Sequence, residues 1–216
     1  MLNFVYSPLM IPLLIAAVVA VAVAVYMTSR RRTPGAFELM VISVAIAIWA
    51  AGYALEIAGA DLATKIFWGQ VQYLGIAFTP YLWLMFVLAY TQQFYKWAWR
   101  TWRWLGLVPL ITISVAFTNP WHSLLWTTTS IRESGAFSVL GVTYGAWFWV
   151  HFVYSYVLLL AGAILLLLAI RRGQGLYRAQ IVAVIIAVSS PWLGNALYLA
   201  GLNPVPGLDL TPFAFT

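Results

Sequence analysis

The sequence predicts an all-α fold, a polytopic bundle of helices that span a membrane, and three observations support this prediction. Of the 216 residues, 64% are hydrophobic and 7% are charged, against roughly 45–50% and ~25% in an average soluble domain. The apolar residues form continuous runs, such as Leu13 to Met27, which excludes the alternating strands of a membrane barrel. The basic residues lie between these runs, as charges that flank a membrane do, rather than on a nucleic-acid-binding face.

The first run, Ser7 to Ser29, has no basic residue before it and no small-residue cleavage site, so it predicts a retained span rather than a signal peptide. It ends at three arginines and the turn Thr33-Pro34-Gly35. The later runs approach or exceed the ~20 apolar residues that a spanning helix needs, although the fourth is short. The other predicted spans are Phe37 to Ala58, Thr64 to Phe94, Trp104 to Phe117, Trp147 to Ile170 and Tyr177 to Ala200.

Two further features complete the predicted bundle. Leu208 to Thr216 is expected to begin a seventh helix, which gives six full spans plus the start of another. Pro80 and Pro191 fall inside predicted spans, and we expect each of them to kink its helix. Residues 1–216 contain no internal repeat and no domain linker, and they therefore predict a single membrane-embedded domain.

The distribution of basic residues predicts the orientation of the bundle. Of the 11 basic residues, all except Lys65 and Arg132 lie in the first, third and fifth connections between spans. Connections rich in lysine and arginine stay in the cytoplasm. The sequence therefore predicts a multi-pass protein of the cell inner (plasma) membrane, in contact with the lipid bilayer, with its N-terminus outside.

One long connection, Thr118 to Ala146, lies on the predicted outer side. It contains two stretches of β-branched and aromatic residues, Leu124 to Ile131 and Phe137 to Tyr144, on either side of Gly135. This pattern predicts a β-hairpin. Because long ordered loops in compact proteins are often lids, we expect the hairpin to cover the outer mouth of the bundle.

Polar and aromatic side chains recur at helical spacing in four spans, and the predicted orientation places all of them in the outer thirds of those spans. Polar groups at membrane depth are costly and usually face the interior of a bundle. We therefore expect them to line a cavity that opens outward and binds a small ligand. The nine candidate residues are Trp49, Tyr53, Glu56, Gln72, Tyr73, His151, Tyr154, Asn195 and Tyr198.

Each candidate also has a purely structural interpretation. Glu56 is either a solvated carboxylate at the membrane interface or a cavity carboxylate paired with a cationic ligand, His151 or Lys65. His151 either contacts the ligand or forms a hydrogen bond with Tyr154 or a backbone carbonyl. Gln70, like Gln72 and Asn195, can instead join two helices through a hydrogen bond worth about 0.6 kcal/mol.

Catalytic signatures are missing from the sequence. It contains no cysteine, no His-Glu-x-x-His, no Gly-x-Ser-x-Gly and no phosphate loop. Its two histidines lie on different segments. We therefore expect no catalytic residue, no metal site and no cofactor in this chain.

An ordered series of short motifs resembles the N-terminal seven-helix sensor region of bacterial membrane histidine kinases, and the resemblance covers nearly the whole chain. The motifs include Trp49-x3-Tyr53-x2-Glu56, Phe67-Trp68-Gly69-Gln70-Val71-Gln72-Tyr73, Asn119-Pro120-x-His122, Gly145-x-Trp147-Phe148-x2-His151-x2-Tyr154 and Pro191-x3-Asn195. The resemblance implies a sensor that perceives an extracellular or membrane-borne stimulus and passes it to a cytoplasmic output through the seventh helix.

The resemblance leaves two functional hypotheses. The first is a non-catalytic input domain of a two-component signal-transduction protein, which binds a small amphipathic or cationic ligand and transmits the signal by helix shifts. This chain stops at Thr216 without an output module, so any kinase activity is expected to reside in a further C-terminal segment. The alternative is an accessory subunit of a larger membrane complex. Homodimers or other membrane subunits are the expected protein partners, and no nucleic acid is expected.

Overall fold

A computed structural model describes residues 2–92, 103–134, 137–171, 190–191, 193–197, 199–200 and 211–215. Within these residues, 5 helical stretches are long and apolar enough to cross a membrane, and two strands pair into an antiparallel hairpin. The elements are α1 (Met10–Thr28), α2 (Ala36–Ala58), α3 (Leu62–Ile76), α4 (Thr79–Tyr90), α5 (Leu107–His122), β1 (Trp126–Ser134), β2 (Phe137–Tyr144) and α6 (Ala146–Arg171). Short 3₁₀ turns lie at Arg103–Gly106 and Pro212–Phe215.

The first five predicted spans correspond to the five helical stretches that are long and apolar enough to cross a membrane. Most of the predicted sixth span, Tyr177 to Ala200, lies outside the described residues, although residues 193–197 are helical. The predicted seventh helix, from Leu208, is described only at residues 211–215, which include a 3₁₀ turn. Six full spans and the start of a seventh therefore stay a prediction.

The third predicted span is one membrane crossing made of two helices. Its helical path breaks between Ile76, where α3 ends, and Thr79, where α4 begins. The cause is Pro80, which has no N–H to donate to the carbonyl group of Ile76 and whose ring disfavours a continuous helix. The Thr79 hydroxyl donates a hydrogen bond to the carbonyl oxygen of Gly75 at 2.8 Å. This backbone carbonyl, next to the break, therefore has a side-chain donor. The helix is thus interrupted next to Pro80, where the sequence predicts a kink.

Small residues let the first three helices approach each other closely. Ala16 and Ala17 of α1 pack against Ala50 of α2. Farther along the chain, Gly75 of α3 lies directly against α2, where a Cβ atom would collide with the carbonyl oxygen of Ala45. Close helix contact through small side chains is typical of membrane bundles, which gain no hydrophobic energy by burying apolar residues away from lipid.

Replacing Gly75 with Ala is expected to lower the free energy of unfolding by about 1–3 kcal/mol, because the added methyl group forces α2 and α3 apart. The thermal midpoint in a mild detergent reports this change. Gly106→Ala is the matched control, since its Cβ would meet Tyr81 Cζ at an ordinary 3.5 Å. Equal midpoints for the two variants would contradict the close α2–α3 contact.

The predicted hairpin is present, with residues 135 and 136 at its turn outside the described residues. Ile131 of β1 lies opposite Leu140 of β2, and the register shifts between Trp126 and Thr128. In β2, Val139 and Leu140 are buried, whereas most of β1 is exposed. The hairpin therefore packs on the bundle through β2 and through Trp126, which contacts Tyr73 of α3.

Candidate ligand cavity

A partly open cavity of about 130 Å³ lies between the hairpin and the ends of α2, α3 and α6. Its wall combines aromatic rings, aliphatic side chains, two carboxamides and one carboxylate. The lining residues are Trp49, Tyr53 and Glu56 from α2; Gly69, Gln72, Tyr73 and Ile76 from α3; Trp126, Val139, Leu140, Val142 and Tyr144 from the hairpin; Phe148 from α6; and Asn195 and Leu199.

Most of the candidate residues named from the sequence line this cavity. They come from α2, α3 and the helical residues 193–197, segments that are far apart in the sequence. The candidates that line it are Trp49, Tyr53, Glu56, Gln72, Tyr73 and Asn195. Tyr198 lies outside the described residues. The structure places the remaining two, His151 and Tyr154, elsewhere.

His151 and Tyr154 do not line this cavity. They lie where α6 packs against α5 and against the 3₁₀ turn before it, so the structure does not bring them together with the other candidates. The imidazole of His151 lies 3.2 Å from the hydroxyl oxygens of Thr112 and Ser155, and the Tyr154 hydroxyl donates to the Leu105 carbonyl at 2.9 Å. Of the two interpretations of His151, the described geometry favours the structural one. The reason is the rotation of α6, which turns this polar face toward α5.

Glu56 is buried, with 6% of its surface exposed, so it is not a solvated interfacial carboxylate. Its Oε2 atom accepts a hydrogen bond from Gln72 Nε2 at 2.6 Å. Its Oε1 atom accepts one from the backbone N–H of Leu140 at 3.1 Å. The carboxylate therefore links α2, α3 and the hairpin.

Lys65 lies beside Glu56 and is completely buried. Its ammonium group donates to the carbonyl oxygens of Glu56 at 2.9 Å, Ile57 at 3.3 Å and Ser138 at 2.7 Å, which uses all three of its N–H bonds. The first two carbonyls belong to the last turn of α2, where a cation also interacts favourably with the helix dipole. The Glu56 carboxylate adds an electrostatic attraction.

Backbone groups along the free edge of β2 are therefore hydrogen-bonded to two charged side chains. Ser138 and Leu140 are two residues apart, so their backbone groups point to the same side of the strand. Lys65 donates to the carbonyl of Ser138, and Glu56 accepts from the N–H of Leu140. Unpaired strand edges are usually covered in native proteins, and here the cover joins the hairpin to the ends of α2 and α3.

The opposite end of the hairpin is held by Asn119, which was not among the candidates named from the sequence. Its Oδ1 atom accepts from the backbone N–H groups of Leu125 at 2.9 Å and Trp126 at 3.1 Å. Its Nδ2 atom donates to the carbonyl of Trp126 at 2.9 Å. The signal was the Asn119-Pro120 pair at the end of an apolar run, directly before a predicted strand.

Gln70 forms the interhelical hydrogen bond that was one interpretation of this residue. Its Nε2 atom donates to the carbonyl oxygen of Ala116 at 3.0 Å. In a regular helix that carbonyl would bind the N–H of residue 120, but Pro120 has none. Gln70 thus donates a hydrogen bond to a carbonyl group that has no backbone donor because of the proline. The same bond connects α3 to α5.

Several aromatic lining residues were not among the candidates. Trp126 packs edge to face against Tyr73, with ring centroids 5.7 Å apart. Tyr144 stacks on Phe148 with a centroid distance of 3.7 Å. The clusters of tryptophan and tyrosine were consistent with an interfacial belt. Only the docked hairpin brings its aromatic side chains into the cavity wall.

Near the cavity, the connection between α2 and α3 is ordered by Asp61. Its carboxylate accepts a hydrogen bond from the N–H of Thr64 at 2.8 Å and thereby caps α3. Asn3 donates to the same carboxylate at 2.9 Å, which ties the N-terminal segment to this connection. The backbone hydrogen bond from Thr64 stabilises the ionised carboxylate and lowers the pKa of Asp61 below its ordinary value of 3.8.

The described residues contain no group of three or more histidine, aspartate or glutamate side chains able to hold a metal ion. The cavity itself offers ring faces, amide groups and a carboxylate that is already hydrogen-bonded. Such a lining is suited to binding a small molecule.

Comparison with known proteins identifies the family. The sequence profile described as the N-terminal 7TM region of histidine kinase matches residues 12–216. Searches of curated proteins and of solved structures found no significant match. The profile covers nearly the whole chain, including the cavity, the hairpin and all the described helices except the first two residues of α1. The chain therefore belongs to the family of N-terminal seven-transmembrane regions of histidine kinases, which confirms the resemblance seen in its motifs.

Proposed function

We propose that this chain is a sensory input domain that receives its stimulus as a small molecule bound in the cavity beneath the hairpin. The bound molecule favours one packing of the helices over another, and the bias passes to the cytoplasmic side by helix shifts. No catalytic step is part of the proposal.

The observation that carries this proposal is the convergence of polar and aromatic side chains from distant segments on one cavity. Glu56 comes from α2, Gln72 from α3, and Asn195 from residues 193–197. Hydrophilic groups in membrane proteins are costly and tend to mark functional sites. A bundle held together by lipid-like packing alone has no need to assemble them in one place.

The proposed orientation places the cavity and the hairpin outside the cell. Successive membrane crossings run in opposite directions, so the hairpin end of the bundle is opposite the end that carries Arg30, Arg31, Arg32 and Arg171. Basic segments flank the cytoplasmic side of membrane proteins. The N-terminus then lies outside the inner membrane, and ligands reach the cavity without crossing the bilayer.

A cavity-blocking variant tests ligand binding. Val142→Phe adds a ring to the wall of the cavity, whereas Val153→Phe adds the same ring on the exposed face of α6, where Val153 is 59% exposed. A set of small soluble fragments is screened by ligand-observed NMR against the protein in nanodiscs. We expect some fragments to bind the native chain and Val153→Phe but not Val142→Phe. If every fragment binds all three proteins alike, the cavity is not the binding site.

Helix movement can be followed separately, because the sequence contains no cysteine and introduced cysteines can be spin-labelled selectively. Labels at Ser29→Cys and Arg171→Cys report the distance between the ends of α1 and α6 opposite the hairpin. A fragment found by the screen is expected to shift this distance distribution, and the shift is expected to disappear in the Val142→Phe background. An unchanged distribution with a bound fragment would contradict signalling by helix shifts.

A further inference from the structure

The charge balance around Glu56 indicates what kind of molecule the cavity accepts. The carboxylate accepts hydrogen bonds from Gln72 and Leu140 and is attracted by the buried ammonium group of Lys65. A carboxylate that is already compensated has little to offer a ligand cation. A cation entering the cavity would lose its hydration without gaining a free counter-charge, which is costly.

Two amide groups remain available to a ligand. The bond from Gln72 Nε2 to Glu56 fixes the amide of Gln72, and its Oε1 atom makes no hydrogen bond with any described residue. At Asn195, Oδ1 lies 3.5 Å from the hydroxyl of Tyr156, and Nδ2 makes no hydrogen bond within the described part of the chain. Between them, these two amides present one acceptor and one donor, a combination that suits a neutral hydroxyl, carbonyl or amide group.

The size and walls of the cavity define the rest of the molecule. Its volume of about 130 Å³ is close to that of an apolar protein cavity of about 150 Å³ that binds benzene. Aromatic side chains line it, including Trp49, Tyr73, Trp126 and Phe148, and aromatic pairs favour stacked or edge-to-face contacts. One ring fits this space, and a longer amphiphile would have to extend through the opening.

We infer that the cavity binds a neutral, single-ring compound with one hydrogen-bonding group, held between the aromatic walls and the amides of Gln72 and Asn195. This inference rests on the proposed function. Of the amphipathic or cationic ligand expected from the sequence, it keeps the amphipathic class and drops the cationic one. Glu56 acts as a positioning residue that orients Gln72, rather than as the charge partner of the ligand.

Three matched probes test the ligand class on the intact chain in nanodiscs, namely benzyl alcohol, benzylammonium and benzoate. Isothermal titration is expected to show that benzyl alcohol binds at least about tenfold more tightly than either ion, and that Val142→Phe abolishes its binding. Tighter binding of benzylammonium would overturn the neutral class while leaving the proposed cavity intact. Failure of all three probes to bind would also overturn the inference. The fragment screen would then show whether the cavity binds any small molecule.

The variant Asn195→Leu separates recognition from a merely structural effect. We expect it to lower the affinity for benzyl alcohol about tenfold, because one hydrogen bond is lost. The affinity for toluene, which forms no such bond, is expected to stay unchanged. A parallel loss of both affinities would show that the substitution deforms the cavity, and would argue against recognition by this amide.

Discussion

Replacing Lys65 with Met is expected to lower the free energy of unfolding by about 3–5 kcal/mol. Met has a similar length and keeps the packing of the aliphatic chain. The change removes three hydrogen bonds to backbone carbonyls and leaves the buried carboxylate of Glu56 without its nearby cation. Both the end of α2 and the edge of β2 lose their partner, so we also expect the hairpin to separate from the bundle more readily.

The fall in the thermal midpoint, measured in a mild detergent, is expected to be on the order of 10 °C for a chain of this length. Arg132→Met is the matched control, because this basic side chain is exposed on the hairpin and its removal is expected to be nearly neutral. Limited proteolysis of the hairpin provides a second measurement and should be faster in Lys65→Met. A midpoint equal to that of the control would refute the buried hydrogen-bonding role of Lys65.

The second large effect is expected for Asn119→Leu, which we predict to reduce the free energy of unfolding by about 3 kcal/mol. The substitution leaves the buried N–H groups of Leu125 and Trp126, and the carbonyl of Trp126, without their side-chain partner. An unsatisfied buried polar group costs about 1–3 kcal/mol. Because these groups begin β1, we expect Trp126 to lose its fixed position against Tyr73.

The same thermal measurement checks this prediction, with Asn3→Leu as the control. Asn3 is an exposed asparagine whose side chain forms an exposed hydrogen bond with Asp61. In addition, binding of benzyl alcohol should weaken in Asn119→Leu, since Trp126 is part of the cavity wall. If Asn119→Leu and Asn3→Leu have the same stability, the hydrogen bonds of Asn119 do not hold the hairpin.

The sequence by itself determined the first five helical spans, the hairpin and a large part of the cavity lining. Continuous apolar runs and the break at Pro80 depend on local chemistry, which a linear sequence carries directly. Trp49, Tyr53 and Glu56 recur at helical spacing, so they had to share one face of α2. The cost of polar groups in a membrane then predicts that this face turns inward.

Tertiary structure alone decided which inward faces meet. His151 and Tyr154 share a face of α6 as predicted, but the rotation of that helix directs His151 toward α5 and Tyr154 toward the 3₁₀ turn before α5. Lys65 was predicted as one of several partners for Glu56, whereas its bond to Ser138 depends on the hairpin being docked beside α3. Helical periodicity gives the relative angle between residues on one helix, and it carries no information on how two helices are rotated against each other. That rotation depends on how residues fit across the interface, as at Gly75, where the absence of a side chain lets α3 lie directly against α2.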